Sequence, residues 1–255
     1  MHPLRALIPL VCACTAAAQT LRTDECTLPN GLTVVTVEDH TLPSICFALA
    51  FRTGSRNERS GRTGISHLFE HMMFNGSERY APGTFDRILE AGGGYSNAFT
   101  SNDITLYYEE FPPDLLEKVL ELEADRLRAL RLDEANLEQE RGIVMEERRV
   151  STEDDVQSSM TEELYAAAFT AHPYRHPIIG WMSDIGAITL EDARDYFRTY
   201  YAPNNAVAFL VGDVDPRTVR TQMERLFAGI PSRPDPPSGP APDVPRRGER
   251  RVKLH

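Results

Sequence analysis

Residues 231–245 read PSRPDPPSGPAPDVP and hold seven of the chain's 18 prolines. No helix or central strand survives that density of fixed φ angles and missing N–H donors, so the stretch predicts an extended, semi-rigid linker where packed structure stops. Only ten residues follow it, RRGERRVKLH, ending in the alternation Arg251-Val252-Lys253-Leu254 that suits the start of a strand. The expected layout is therefore a packed domain over 19–230, a proline-rich linker over 231–247, and the first residues of a second domain over 248–255.

The other end has the pattern of an export signal. Arg5 precedes the apolar and small run ALIPLVCACTAAA, interrupted by Pro9 and ending in Ala16-Ala17-Ala18. A basic start, a short apolar core and a small-x-small end predict a signal peptide over 1–18 and a periplasmic or secreted protein. A lipoprotein anchor at Cys14 is a weaker alternative. Removal of the signal leaves Cys26 and Cys46, which an oxidising compartment would allow to bridge, or which stay as buried thiols. The formal net charge is −11, which argues against a nucleic-acid partner, and no apolar run is long enough to span a membrane.

Between these ends, strands come in groups and helices in groups, which predicts an α+β fold. Asn30-Gly31 marks a turn before a strand at 33–37, and a second strand follows at 45–51. Helices are expected over 63–74 and 83–91, then strands at 95–100 and 104–110. Pro112-Pro113-Asp114 opens a helix reaching Leu132, and Asp133 caps another running to Val150. Helices at 156–169, 189–200 and 216–227 and a strand at 206–211 complete the reading.

The chemistry concentrates in His67-Leu68-Phe69-Glu70-His71. Residues four apart share a helix face, so two imidazoles can meet one metal while Leu68, Phe69, Met72 and Met73 face the core. Two histidines with a carboxylate beside them suit a zinc site that keeps one position for water. A third ligand is expected from the helix after Asp133, where Glu140, Glu146 and Glu147 are candidates. Glu140 and Glu147 share a face, and Ile143 and Val144 are expected to turn that region inward, which favours Glu147 over Glu146 slightly. His172, His176 and Trp181 read as structural.

These motifs carry a resemblance. LPNGLTVV, FRTGSRNE, HLFEH, GGYSNAFTSNDITLYY, ERGIVMEE, HPYRHPIIG and YYAPNNAVAFLVGDVDP together resemble the pitrilysin-type zinc peptidases, which include insulin-degrading enzyme and the mitochondrial processing peptidase. The resemblance implies a mostly antiparallel sheet packed against several helices and one Zn²⁺ per chain. It implies His67, His71 and Glu147 as metal ligands, Glu147 lying seven residues after the glutamate of the Glu140-Arg141 pair. It implies Glu70 as general base, Glu140 as a second glutamate supporting the site, and Asn97 and Ala98 on the strand edge that receives an extended peptide. It also implies a second homologous domain or partner subunit. S-ribosylhomocysteinases share the H-x-x-E-H core but need a downstream cysteine ligand, and every cysteine here precedes His67. The competing expectation is a non-catalytic partner subunit of the same family, a class that typically lacks a motif residue.

Overall fold

The computed structural model describes residues 21–237, 242–245 and 247–253. The expected signal peptide and Cys14 lie outside the described residues. Among the described residues, six strands form one sheet: β1 (Arg22–Thr27), β2 (Thr33–Glu38), β3 (Ile45–Phe51), β4 (Tyr95–Thr100), β5 (Thr105–Phe111) and β6 (Ala206–Gly212). Their order is β1-β2-β6-β3-β5-β4. Every pairing is antiparallel except β2 with β6, which is parallel. The described residues also form eight α-helices: α1 (Ile65–Met72), α2 (Thr84–Ala91), α3 (Leu116–Ala129), α4 (Glu134–Arg148), α5 (Val156–Ala168), α6 (Met182–Ala187), α7 (Leu190–Tyr200) and α8 (Pro216–Phe227). The α+β architecture with a mostly antiparallel sheet is thus as the sequence implies.

Alternation places the core. In β3, Ile45, Phe47, Leu49 and Phe51 are fully buried while the residues between them are half-buried. β5 repeats the pattern with Thr105, Tyr107, Glu109 and Phe111 inward. Against that face pack Leu68, Phe69 and Met72 of α1, with Leu120 and Leu127 of α3 and Met223 and Phe227 of α8. The β1–β2 hairpin turns at Gly31, whose φ of +87° only glycine adopts without strain. Buried Asn30 donates from that turn to the carbonyls of Phe227 and Ile230 and so locks the end of α8 to the sheet.

Some boundaries moved. The strand β1 and the helix α6 were not expected from sequence, because RTDECT lacks an apolar run and MSDIGA is too short to show a period. α4 ends at Arg148, and the chain continues as a π-helical turn over Arg149–Glu153. Cys26 and Cys46 stay as free thiols. They sit on β1 and β3, three strand spacings apart in the sheet order, on the order of 14 Å, beyond the reach of a disulfide.

Candidate functional site

α1 divides by face. Ile65, Ser66, Leu68, Phe69 and Met72 are buried, leaving His67, Glu70 and His71 as its half-buried residues. The helix is fixed to the sheet by Tyr107, whose hydroxyl donates to the Phe69 carbonyl at 3.1 Å. α4 lies against it. Its inward stripe is Leu137, Glu140, Val144 and Arg148, spaced three or four apart, with half-buried Glu147 beside it. The expectation for Ile143 was wrong: it points outward at 44% exposure, because it falls off that stripe by one position. Val144 turns inward as expected. Glu146 also faces out, paired with Arg149 at 2.6 Å.

Across the α1–α4 interface the acceptors and imidazoles converge. His71 Nε2 is 3.3 Å from Glu147 Oε2, and His67 Nε2 is 3.6 Å from Glu147 Oε1. One donor atom from each of His67, His71 and Glu147 falls within a 4.8 Å group, a set that could hold a metal ion. His71 Nδ1 meets Glu140 Oε2 at 3.3 Å, so that ring is oriented from both sides. His67 Nδ1 is buried without a partner. Burial works against charge on His71, but the carboxylates of Glu140 and Glu147 outweigh it and raise the ring to about 9. Burial lowers His67, with Glu147 and Glu70 opposing. Glu147 is held below its ordinary value, first by its bond to His71. Two imidazoles, one facing carboxylate and an outer carboxylate behind His71 are the donor chemistry of a zinc site, so the residues fit that metal.

Glu70 stands apart from that group. Its Oε2 accepts from the Thr100 hydroxyl at 2.7 Å. A cleft of about 390 Å³ opens beside it, lined by Glu70, His71, Phe74, Asn97, Ala98 and Glu140 among others. One wall is β4, the last strand of the sheet order, with no strand beyond it among the described residues. Ser96 bonds Asp86 of α2, and Thr100 bonds Glu70 of α1, so this set of β4 side chains faces the helices. Asn97 lies on the other set with exposed Tyr95 and Phe99, and its Oδ1 accepts from the Ala98 N–H at 2.8 Å. The structure therefore brings Glu70, His71, Glu140 and the Asn97–Ala98 edge to one cleft, and His67 and Glu147 to the adjoining donor group.

Two supporting residues escaped sequence reasoning. Thr100 carries no signal of its own. Glu58, in the FRTGSRNE segment, is buried and accepts from the main-chain N–H of Gly64 and Ser66, both at 2.8 Å. Burial pushes its carboxyl up to about 8 against those two bonds. Both oxygens accept a main-chain N–H, which the carboxyl can do in either protonation state because each oxygen keeps a lone pair. The available clue was a helix start at Gly64 with no side chain to cap it. His172 and His176 flank the short 3₁₀ turn Pro173–Arg175, and His172 Nδ1 accepts from Tyr174 N, a structural role. The Trp181 ring carries the Arg148 guanidinium at 5.6 Å.

The chain matches two known sequence families. One, described as "Insulinase (Peptidase family M16)", covers residues 33–181, and the other, "Peptidase M16 inactive domain", covers residues 187–255. Zinc protease PqqE of Helicobacter pylori is 37% identical over 205 residues, 80% of this chain and 46% of that protein. A probable mitochondrial-processing peptidase subunit beta of Arabidopsis thaliana is 30% identical over 208 residues, 82% of this chain and 39% of that one. Among solved structures, a protease from Helicobacter pylori superposes with a TM-score of 0.81 at 36% identity, covering 84% of this chain and 51% of that one. Pitrilysin, at 22% identity and a TM-score of 0.79, shares the fold over 90% of this chain and 25% of that chain. The chain thus spans about half, or less, of the length of these relatives. With the two histidines and the glutamate in place on α1 and α4, the chain belongs to the insulinase family of peptidases, family M16.

Proposed function

We propose that this chain is the zinc-bearing half of a metalloendopeptidase that hydrolyses extended peptides. The observation that carries the reading is the convergence of His67, His71 and Glu147 beside a cleft that also holds Glu70 and an open sheet edge. His67, His71 and Glu147 would hold one Zn²⁺ per chain, with Glu140 orienting His71. Zinc, when bound, supplies a more acidic water and a polarised scissile carbonyl. Glu70, steadied by Thr100, takes a proton from the attacking water and returns it to the leaving amine. The edge of β4 at Asn97–Ala98 receives the peptide as an added strand, by main-chain bonding. For this the Ala98 N–H must exchange its bond to Asn97 for one to the substrate.

Residues 19–230 form the catalytic unit in this reading, 231–247 the linker and 248–255 the start of a second, homologous half that closes over the substrate. The relatives' greater length supports that layout. Residues 1–18 direct export to the periplasm or beyond, in keeping with a structural relative described as the periplasmic protease PqqL of Escherichia coli.

Metal analysis and peptide-cleavage assays on the wild type and Glu70→Gln test the reading. About one zinc in each, with cleavage abolished in the variant, is the expected result, because Glu70 is base and not ligand. A wild-type chain that retains no zinc would favour a non-catalytic family subunit instead.

A further inference from the structure

An α-helix begins with N–H groups that have no partner within the helix, and a cap side chain usually supplies the missing oxygen. α1 cannot be served this way. Its cap position is Gly64, at φ +87°, and a Cβ there would lie 2.4 Å from the Ile179 carbonyl oxygen. Ser, Asp or Asn is excluded by contact as well as by conformation. The oxygens come instead from Glu58, whose Oε2 accepts from Gly64 N and whose Oε1 accepts from Ser66 N. The Ser66 hydroxyl is tied in turn to Tyr196 OH at 2.8 Å, and that hydroxyl to Thr53 at 3.0 Å.

The turn held in this way carries His67 next. The two histidines differ in what else steadies them. His71 has Glu140 behind its ring, whereas His67 Nδ1 is buried with no partner. The place of His67 is therefore set by the main chain that bears it. We infer that Glu58 is a positioning residue for the metal site: its carboxyl group, bridging the Gly64 and Ser66 N–H groups, fixes the first turn of α1 and through it His67. The inference rests on His67 being a zinc ligand. A glutamine would not substitute, because it offers one acceptor oxygen and sets an NH₂ against the second N–H.

The test uses the 255-residue chain as wild type, Glu58→Gln and the milder Glu58→Asp, with Asn30→Ala as a control. Asn30 ties α8 to the β1–β2 turn and has no part in α1. Zinc affinity is measured by chelator competition, the site geometry by the absorption spectrum of the Co²⁺-loaded chain, and fold integrity by thermal unfolding without metal. Glu58→Gln should bind zinc about 10–100-fold more weakly and alter the cobalt spectrum, as loss of an orienting group around a metal typically does. Glu58→Asp, too short to reach both N–H groups, should fall between, and remains informative if the Gln variant does not fold. Asn30→Ala should lose thermal stability with its zinc affinity intact. Affinity within about twofold of wild type and an unchanged cobalt spectrum in a folded Glu58 variant overturns the inference. So does an equal loss of zinc affinity in Asn30→Ala, which would make the effect one of general stability. Failure of the wild type to bind zinc is a different result, and sinks the peptidase reading with it.

Discussion

Glu146 and Glu147 are adjacent and chemically identical, yet one meets two histidines and the other pairs with Arg149 at the surface. A helix turns about 100° per residue, so a single position decides between a carboxylate facing two histidines and a solvated charge. Glu147→Gln should therefore abolish tight zinc binding while Glu146→Gln leaves it unchanged, by chelator competition. Glu140→Gln should weaken it by about 10–100-fold, because the variant still orients His71 but without charge. A second residue-scale feature lies away from the site. Arg126, Glu109 and Glu123 are buried together, with Arg126 3.0 Å from Glu109 and 2.5 Å from Glu123. Burial first, then the charge of Glu123, holds the Glu109 carboxyl well above its ordinary 4.5. An acid with a raised folded-state pKa gives stability that is complete below its ordinary range and lost as pH rises. Glu109→Gln removes that loss and keeps an acceptor for Arg126. Its melting temperature relative to wild type should climb as pH is raised from 5 to 8, where each kcal/mol reads as about 2–4 °C in a chain of this size.

At the scale of elements, the site depends on how closely α1 approaches the loop before α6. Gly64 and Gly180 meet main chain to main chain, and a Cβ on Gly180 would lie 2.5 Å from both Cα and N of Gly64. Gly180→Ala should cost about 1–3 kcal/mol by overpacking, plus strain at φ +87°, read as a lower unfolding midpoint. β4 offers the other element-scale test. The Ala98 N–H bonds to the Asn97 side chain, and the Ser101–Ile104 bond sets a register in which the Ala98 N–H faces away from β5, so Ala98→Pro removes a donor from the open edge and not from the pairing with β5. Peptide binding to a Glu70→Gln chain should weaken when Ala98→Pro is added, with zinc affinity unchanged. Equal peptide binding would show that the strand edge is not the docking site.

At the scale of the molecule, β6 lies between β2 and β3, so the sheet is completed by a segment far along the chain. The second family match begins at residue 187, yet α7 and β6, which follow it, pack into the same core as α1. The unit that carries the site therefore extends past that boundary. Relatives are about twice as long or longer, and we expect the 255-residue chain to bind zinc but to cleave peptides slowly per zinc bound. An intact family member assayed alongside gives the reference. Equal rates per zinc would show that a second half is dispensable.

The composition of local segments determined much of this. HLFEH could only place two imidazoles and a carboxylate on one helical face, and Asp133 capped α4 as its side chain requires, accepting from Asn136 N. Alternation in β3 and β5 marked strands and their buried sides. Periodicity within α4 put Glu140 and Glu147 on a common face, but Ile143 was misplaced, and the resemblance to the peptidases, not helical geometry, singled out Glu147. Tertiary structure decided what local rules cannot reach. It brought α4 across α1 so that Glu147 meets His67 and His71, separated Cys26 from Cys46 by three strand spacings, and supplied Glu58 to a helix whose own cap position admits only glycine. Each of these joins residues from different elements, and a distance across elements is set by packing, not by the pattern within any one segment.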